Sequence, residues 1–311
     1  MIQFNAAATL PLAFRGGVIA LGNFDGFHNG HQSVVGEALR QAKAAKKAAI
    51  VATFDPHPVR YFAPDAPPFR LTTLDQRAAL FAAAGADAML VFHFNAELAS
   101  VSAHDFITDW LITRAGASGI VTGEDFTFGR ARGGNVQVLR EFGGAHGLST
   151  TAVGPVCDDN GPISSSRIRS ALQTGDCATA TRLLTRPFTI AGTVEHGAKL
   201  GRMIGFPTAN IQLGSYLRPR YGIYAVAGHL ADGRTLKGAA NIGIRPSFDP
   251  PIELLEPYFF DFDEDLYGQH IEVAFHTFLR PEEKYVSLEA LTAQIAKDCE
   301  DARRALSAIP L

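Results

Sequence analysis

Cysteine is scarce in this 311-residue chain: Cys157, Cys177 and Cys299 stand far apart and form no C-x-x-C pair. That pattern reads as reduced thiols in a cytoplasmic protein. Net charge is also small, with 28 Lys+Arg against 31 Asp+Glu giving −3. Nothing in that balance supplies a basic groove for nucleic acid or a basic face for a membrane, so partners are expected to be small molecules. No segment stays apolar for the ~18 residues that a membrane span needs. The N-terminus MIQFNAAATLPLAF lacks a basic start followed by a long apolar run, so no signal peptide is expected. Low-complexity tracts and internal repeats are absent.

What is present is a globular composition, 47% hydrophobic and 19% charged, at a length that favours two domains. The first half alternates. GVIALGNF (17–24), AAIVATF (48–54), ADAMLVFHF (86–94), ASGIVTG (117–123) and LSTTAVGPV (148–156) read as strands. Segments 31–47, 74–85, 102–116 and 135–147 have helical periodicity, with Ser102 as a cap and Gly85 as a stop. Alternation of this kind predicts a parallel sheet with helices on both faces, whose ligands bind at the carboxyl ends of the strands. GNFDGFHNGH, FDPHP and GEDFTFG all begin where a predicted strand ends. After RLLTRP (182–187) the pattern changes to short alternating runs separated by turns, then a helix over 287–306. That predicts an antiparallel sheet or barrel. The expected domains are 1–185 and 186–311.

Residues 22–31, GNFDGFHNGH, combine three glycines with two histidines. A glycine-rich turn ahead of a helix favours an anion, because backbone N–H groups and the helix dipole converge there. His28 and His31 lie three apart, so both rings can face that anion and donate hydrogen bonds to it. Gly22, Asn23, Phe24, Asp25, Gly26 and Gly30 then form the backbone that a nucleotide approaches. On these residues alone an exposed turn is an equal alternative. A zinc site is a weaker one, for lack of a second ligand pair. ISSSRIRSAL (163–172) is a hydroxyl cluster at a predicted helix start, where Ser164 to Ser166 can cap. Arg167 and Arg169 oppose that helix dipole, a local cost that an anion offsets. Asp55 and His57 of FDPHP and Asp125 of GEDFTFG can hydrogen-bond the edge of a flat ring. Phe62, Phe126 and Phe128 can line its slot, with ordinary strand-end packing as the alternative.

The second half carries GTVEHGAKLGRMIGFPTANI (192–211), a glycine-rich run that can arch over phosphates through Gly201 and Arg202. Thr208 and Asn210 are two apart, so in an extended segment their oxygens share a side and suit Mg²⁺ beside ATP. A polar turn is the alternative. Glu256 opens an aromatic run and can serve as a general base at a barrel mouth, or be a rim glutamate. Asp261, Asp263, Glu264 and Asp265 read as turn formers.

HxGH after the first strand, with S-S-x-x-x-R at a late helix start, resembles the nucleotidylyltransferase superfamily. Together with GRMIGFPTANI, YGIYAV, NIGIRPSF, DFDEDLYG and FLRPEEKY, nearly the whole chain resembles the prokaryotic bifunctional FAD synthetase family. In that family riboflavin kinase and FMN adenylyltransferase share one chain. The resemblance implies an α/β fold: an N-terminal Rossmann-like nucleotidylyltransferase domain with a parallel sheet, then an antiparallel β-barrel kinase domain with a terminal helix. It implies two reactions, riboflavin plus ATP to FMN plus ADP, and FMN plus ATP to FAD plus pyrophosphate. Thr208 and Asn210 would bind Mg²⁺ and ATP, Glu256 would deprotonate the ribityl hydroxyl, and Arg280 would lie near the flavin. His28, His31, Ser164, Ser165 and Arg169 would handle the triphosphate, and Asp125 would lie by the flavin and the reacting centre.

Mg²⁺ with ATP is the implied cofactor, with no tightly bound prosthetic group and no nucleic-acid or membrane partner. A homo-oligomer is left open. The chain departs from the family at Ser166, Ala198, Leu200 and Ser247, and in a proline-rich loop FDPPIELL (248–255) leading into Glu256. One rival is another HxGH nucleotidylyltransferase with a regulatory C-terminal half, against which PTAN and Glu256 argue. A second is a flavin-binding sensor or carrier that retains the fold without turnover, against which the intact HNGH, ISSSRIR and PTAN argue.

Overall fold

The computed structural model describes residues 1–197, 200–245 and 252–309. The departures at Ala198 and Ser247, the Leu200 side chain and the prolines before Ile252 lie outside the described residues. The chain divides into two compact units, Met1–Pro67 with Thr73–Ser164, and Pro68–Thr72 with Ser165–Leu311.

The first unit is built on six parallel strands: β1 (Ile2–Asn5), β2 (Val18–Leu21), β3 (Ala49–Asp55), β4 (Ala88–His93), β5 (Gly119–Gly123) and β8 (Ser149–Val153), in the order β1-β4-β3-β2-β5-β8. The central strands are continuous apolar runs because both of their faces are covered. Ile19 and Leu21 of β2 point into one hydrophobic cluster, with Ile107, Trp110 and Leu139. Val18 and Ala20 point into the opposite cluster, with Val35, Ala38 and Phe81. The period-two alternation of a strand thus feeds two cores. The covering helices are α1 (Asn29–Ala45), α3 (Leu74–Ala84), α5 (Ala103–Asp105) running into a π-helical segment Phe106–Arg114, and α6 (Val136–Val138) running into another, Leu139–Gly143. Short elements α2 (Pro58–Phe62), α4 (Ala96–Ser100), β6 (Thr127–Phe128), β7 (Gly134–Asn135), β9 (Cys157–Asp158) and β10 (Gly161–Pro162) decorate the strand ends. Ser102 caps α5 by accepting the Asp105 N–H at 3.1 Å, and Gly85 ends α3 with φ 99°, as the sequence indicates. β1 is an addition to the expected strands: three of its four residues are exposed, and the alternation of Ile2 and Phe4 is too short to stand out.

The second unit opens with α7 (Ser165–Thr174) and α8 (Cys177–Leu184). Its sheet is antiparallel: β11 (Phe188–Thr193), β12 (Ile211–Gln212), β13 (Gly222–Leu230), β14 (Thr235–Arg245), β15 (Ile252–Phe259) and β16 (His270–Arg280), in the order β11-β16-β13-β14-β15-β12. The sheet curls until its two end strands meet. A Cβ on Gly192 of β11 would stand 2.6 Å from a methyl of Ile211 on β12, so only glycine permits that approach. A short helix α9 (Leu200–Met203) precedes β12, and α10 (Leu288–Ser307) lays Cys299, Ala302 and Leu306 against Ala225, Ala239 and Phe260. Ser287 caps α10 by accepting the Ala290 N–H at 3.2 Å.

Candidate functional sites

The first candidate site lies where β2 ends and α1 begins. His28 is the N-cap of α1, and its Nδ1 accepts the His31 backbone N–H at 3.3 Å. His28 is 5% exposed and Asp25 4%, so neither residue belongs to a solvent-facing turn. A Cβ on Gly30 would press to 3.1 Å from the His28 ring and 3.5 Å from the Ile163 carbonyl. The loop is bent through left-handed conformations at Phe24 (φ 50°), Gly26 (φ 85°) and Phe27 (φ 43°). For the two phenylalanines this costs on the order of 1 kcal/mol each or more, strain of the kind found at ligand-binding turns. Phe24 turns its ring edge-on to His31, with centroids 5.3 Å apart, and to Phe81 at 5.9 Å. The Asn23 carbonyl accepts from the Thr53 hydroxyl at 2.8 Å and from Arg77 at 3.1 Å. The Asn23 side-chain oxygen is buried with no hydrogen-bond partner among the described residues. A helix N-terminus, two imidazoles and a close-approach glycine make a site for an oxyanion.

The surrounding strand ends place the other expected residues. His57 caps α2, its Nδ1 accepting the Val59 N–H at 3.2 Å. Asp55 closes β3 with its carboxylate 3.7 Å from the Arg77 guanidinium. Asp125 folds over Gly123, where a Cβ would sit 2.9 Å from its carboxylate. Phe128 is 6% exposed and packs into the core, stacked on the half-buried Phe126 at 5.8 Å. Phe62 is 68% exposed and meets Phe94 edge-on at 5.7 Å. Ser164 ends the first unit, and Ser165 opens α7 of the second. There Arg169 donates Nε to the Phe69 carbonyl at 2.8 Å.

The second candidate site is a cavity of about 1100 Å³ in the second unit, lined by Gly201, Arg202, Thr208, Asn210, Glu256 and Arg280. Every site residue that the sequence named in the second half of the chain therefore lines one space. Asn210 is 9% exposed, and its amide fills the place a Cβ on Gly197 would take. Gly201 backs in the same way onto the Phe206 carbonyl. Glu256 on β15 pairs across the sheet with Asn241 on β14, whose amide donates to Glu282 at 3.1 Å. Arg280 is gripped by Asp298 of α10 through two hydrogen bonds of 2.8 and 2.6 Å, and that carboxylate raises the guanidinium pKa further.

Sequence reasoning missed Asp298 and the Arg218–Glu253 pair on the same cavity wall, with Tyr221 hydrogen-bonded to Glu253. Burial alone would raise the Glu253 carboxyl, but hydrogen bonds from Tyr221 and Arg218 pull it below its ordinary value. Burial, then Glu253, pushes the Tyr221 phenol up to about 12. Among the described residues no group of three or more His, Cys, Asp or Glu is placed to hold a metal.

A family model described as FAD synthetase matches residues 11–167, and one described as riboflavin kinase matches residues 184–306. The chain is 38% identical over 283 residues to the bifunctional riboflavin kinase/FMN adenylyltransferase of Escherichia coli (strain K12), covering 91% of this chain and 90% of that one. It is 40% identical over 290 residues to the protein of the same description from Pseudomonas fluorescens, covering 93% of each. The chain belongs to the bifunctional riboflavin kinase/FMN adenylyltransferase family. Its fold is also similar to a crystal structure described as a macrolide-efflux protein from Streptococcus pneumoniae, with a TM-score of 0.86 and 29% identity, over 98% of this chain and 99% of that one. Family membership makes the chain an enzyme with a parallel-sheet adenylyltransferase part and a barrel-like kinase part. No helix among the described residues is long and apolar enough to cross a membrane.

Proposed function

We propose that the cavity of the second unit phosphorylates riboflavin to FMN and that the histidine loop of the first unit adenylylates FMN to FAD. The observation that carries this reading is that Thr208, Asn210 and Glu256 line one cavity. Family membership supplies the two activities, ATP-dependent riboflavin kinase and FMN adenylyltransferase.

In the kinase reaction Glu256 accepts the proton of the ribityl hydroxyl as its oxygen bonds to the γ-phosphorus of ATP and ADP leaves. Thr208 and Asn210, neutral oxygen donors at the cavity wall, fit Mg²⁺ bound jointly with ATP phosphates. Bound there, the ion neutralises charge on the transferring group. Gly201 and Arg202 cover the phosphates. Arg280, held by Asp298, stands by the flavin.

In the adenylyl transfer an FMN phosphate oxygen bonds to the α-phosphorus of ATP and pyrophosphate leaves. Attacker and leaving group are both phosphates, so no proton acceptor is required, and orientation and charge neutralisation do the work. His28, His31 and the α1 N-terminus hold the α-phosphate. Gly22, Asn23, Phe24, Asp25, Gly26 and Gly30 form the nucleotide-side wall. Ser164, Ser165 and Arg169 serve the β- and γ-phosphates. Asp55, His57, Asp125, Phe62 and Phe126 receive the flavin, with Phe128 packed behind Phe126. Functional parts 1–185 and 186–311, cytoplasmic location and action without a bound prosthetic group complete the proposal.

Incubation with riboflavin, ATP and Mg²⁺, followed by chromatography, tests it. Both FMN and FAD are expected. Absence of any converted flavin would overturn both assignments and leave the flavin carrier.

A further inference from the structure

Arg77 lies on α3, away from every motif, yet it is 2% exposed. A guanidinium keeps its charge at any ordinary pH, so burying it is costly unless its donors are engaged. One terminal nitrogen donates to the Thr53 hydroxyl at 2.6 Å and to the Asn23 carbonyl at 3.1 Å, while the other stands 3.7 Å from Asp55. Thr53, itself 0% exposed, donates a hydrogen bond from its hydroxyl to the same Asn23 carbonyl at 2.8 Å. Two donors therefore converge on a single peptide oxygen. The next residue, Phe24, holds the left-handed φ of 50° and lays its ring edge-on against His31 at 5.3 Å.

We infer that Arg77 is a positioning residue for adenylyl transfer, acting with Thr53 through the Asn23 carbonyl and the Phe24 ring to fix His31. The inference rests on the reading of His31 as a phosphate-binding group in that reaction. The clamp fixes the peptide that enters the strained turn, and the strained turn sets the ring on which His31 leans. Without it Phe24 is able to relax toward an ordinary backbone conformation, and His31, still stacked on His28, loses its edge-on support from the other side. Nothing local marks this role, because one arginine in a short helix looks like a solvated charge.

The test is a double-mutant cycle on the FMN-to-FAD rate, with thermal midpoint and riboflavin phosphorylation read in the same preparations. Arg77→Met is expected to lower kcat for FAD formation at least tenfold, with the kinase rate unchanged. Arg77→Lys is expected to recover part of that loss. In a His31→Ala background Arg77→Met should cost less than threefold more, because its route to the reaction is already gone. Should Arg77→Met fail to fold, Thr53→Val removes the relay hydroxyl at nearly constant volume and enters the same cycle, with Thr53→Ser as its restoring variant. An equal loss in both backgrounds, or a lowered midpoint with kcat intact, would overturn the inference. A His31→Ala enzyme of normal rate would instead overturn the assignment of His31 on which it rests.

Discussion

The imidazole rings of His28 and His31 stack, with centroids 3.6 Å apart and planes 21° from parallel. His28 Nδ1 accepts a backbone N–H, so in the neutral ring the proton sits on Nε2, at the other end of the imidazole. One side chain thus caps the helix with one nitrogen and offers a donor with the other. Separating the two roles is the first prediction. His28→Asn keeps a capping oxygen, and asparagine is a strong N-cap, but its shorter side chain withdraws the donor. FAD formation from FMN should fall roughly a hundredfold, the scale expected when a charge-stabilising donor is lost. The thermal midpoint should hold. His28→Ala should lose the same rate and in addition about 1 kcal/mol of stability with the cap.

Asn210 packs directly against Gly197, with no room for a methyl group. Gly197→Ala should therefore push the Asn210 amide out of place and raise the ATP KM of riboflavin phosphorylation roughly tenfold or more, as small misplacements in phosphoryl-transfer sites do. FMN-to-FAD conversion, measured on the same sample, should not change. An unaltered kinase KM would remove Asn210 from the nucleotide site.

Asp298 is 4% exposed and holds both Arg280 and the Gln294 amide. Asp298→Ala leaves Arg280 with an unpaired charge against the sheet. The expected loss is roughly 3 kcal/mol in the stability of the second unit, seen in urea unfolding, because breaking a buried pair from one side exposes its desolvation cost. Riboflavin affinity should weaken with it, since Arg280 lines the cavity.

The alternating strands and helices of the first unit were legible because strands covered on both faces read as nearly continuous apolar runs, and β2, β3 and β5 do, interrupted only by the buried Thr53 and Thr122 before their ends. β1 was not, being short and mostly exposed at the sheet edge. HNGH and PTAN were legible because their chemistry depends on local spacing that the sequence displays directly. Arg77 and Asp298 were not, because each is buried by partners from distant strands and looks locally like any charge on a helix face. Phe128 illustrates the same limit. It alternates with Phe126, and nothing local says that its ring packs into the core beside Phe106.

A pH response follows from His276 on β16. Burial first, and the nearby His229 second, hold its pKa below the ordinary 6.5. Its Nε2 has no hydrogen-bond partner among the described residues. The folded protein keeps this ring neutral where the unfolded chain protonates it. Its contribution to stability is thus complete above pH 6.5 and is lost as pH falls below 6.5 toward the depressed folded value. Thermal midpoints taken between pH 7.5 and about pH 5 should decline for the parent and decline less for His276→Gln. Identical slopes would show that other groups govern this range.

The claim that two separate groups of residues serve two reactions is tested most directly at Glu256. Glutamine has nearly the shape of glutamate and cannot take up a proton. Glu256→Gln should abolish ATP-dependent formation of FMN from riboflavin. Supplied FMN should still be converted to FAD at close to the parent rate. Persisting riboflavin phosphorylation, or loss of both activities together, would contradict the account.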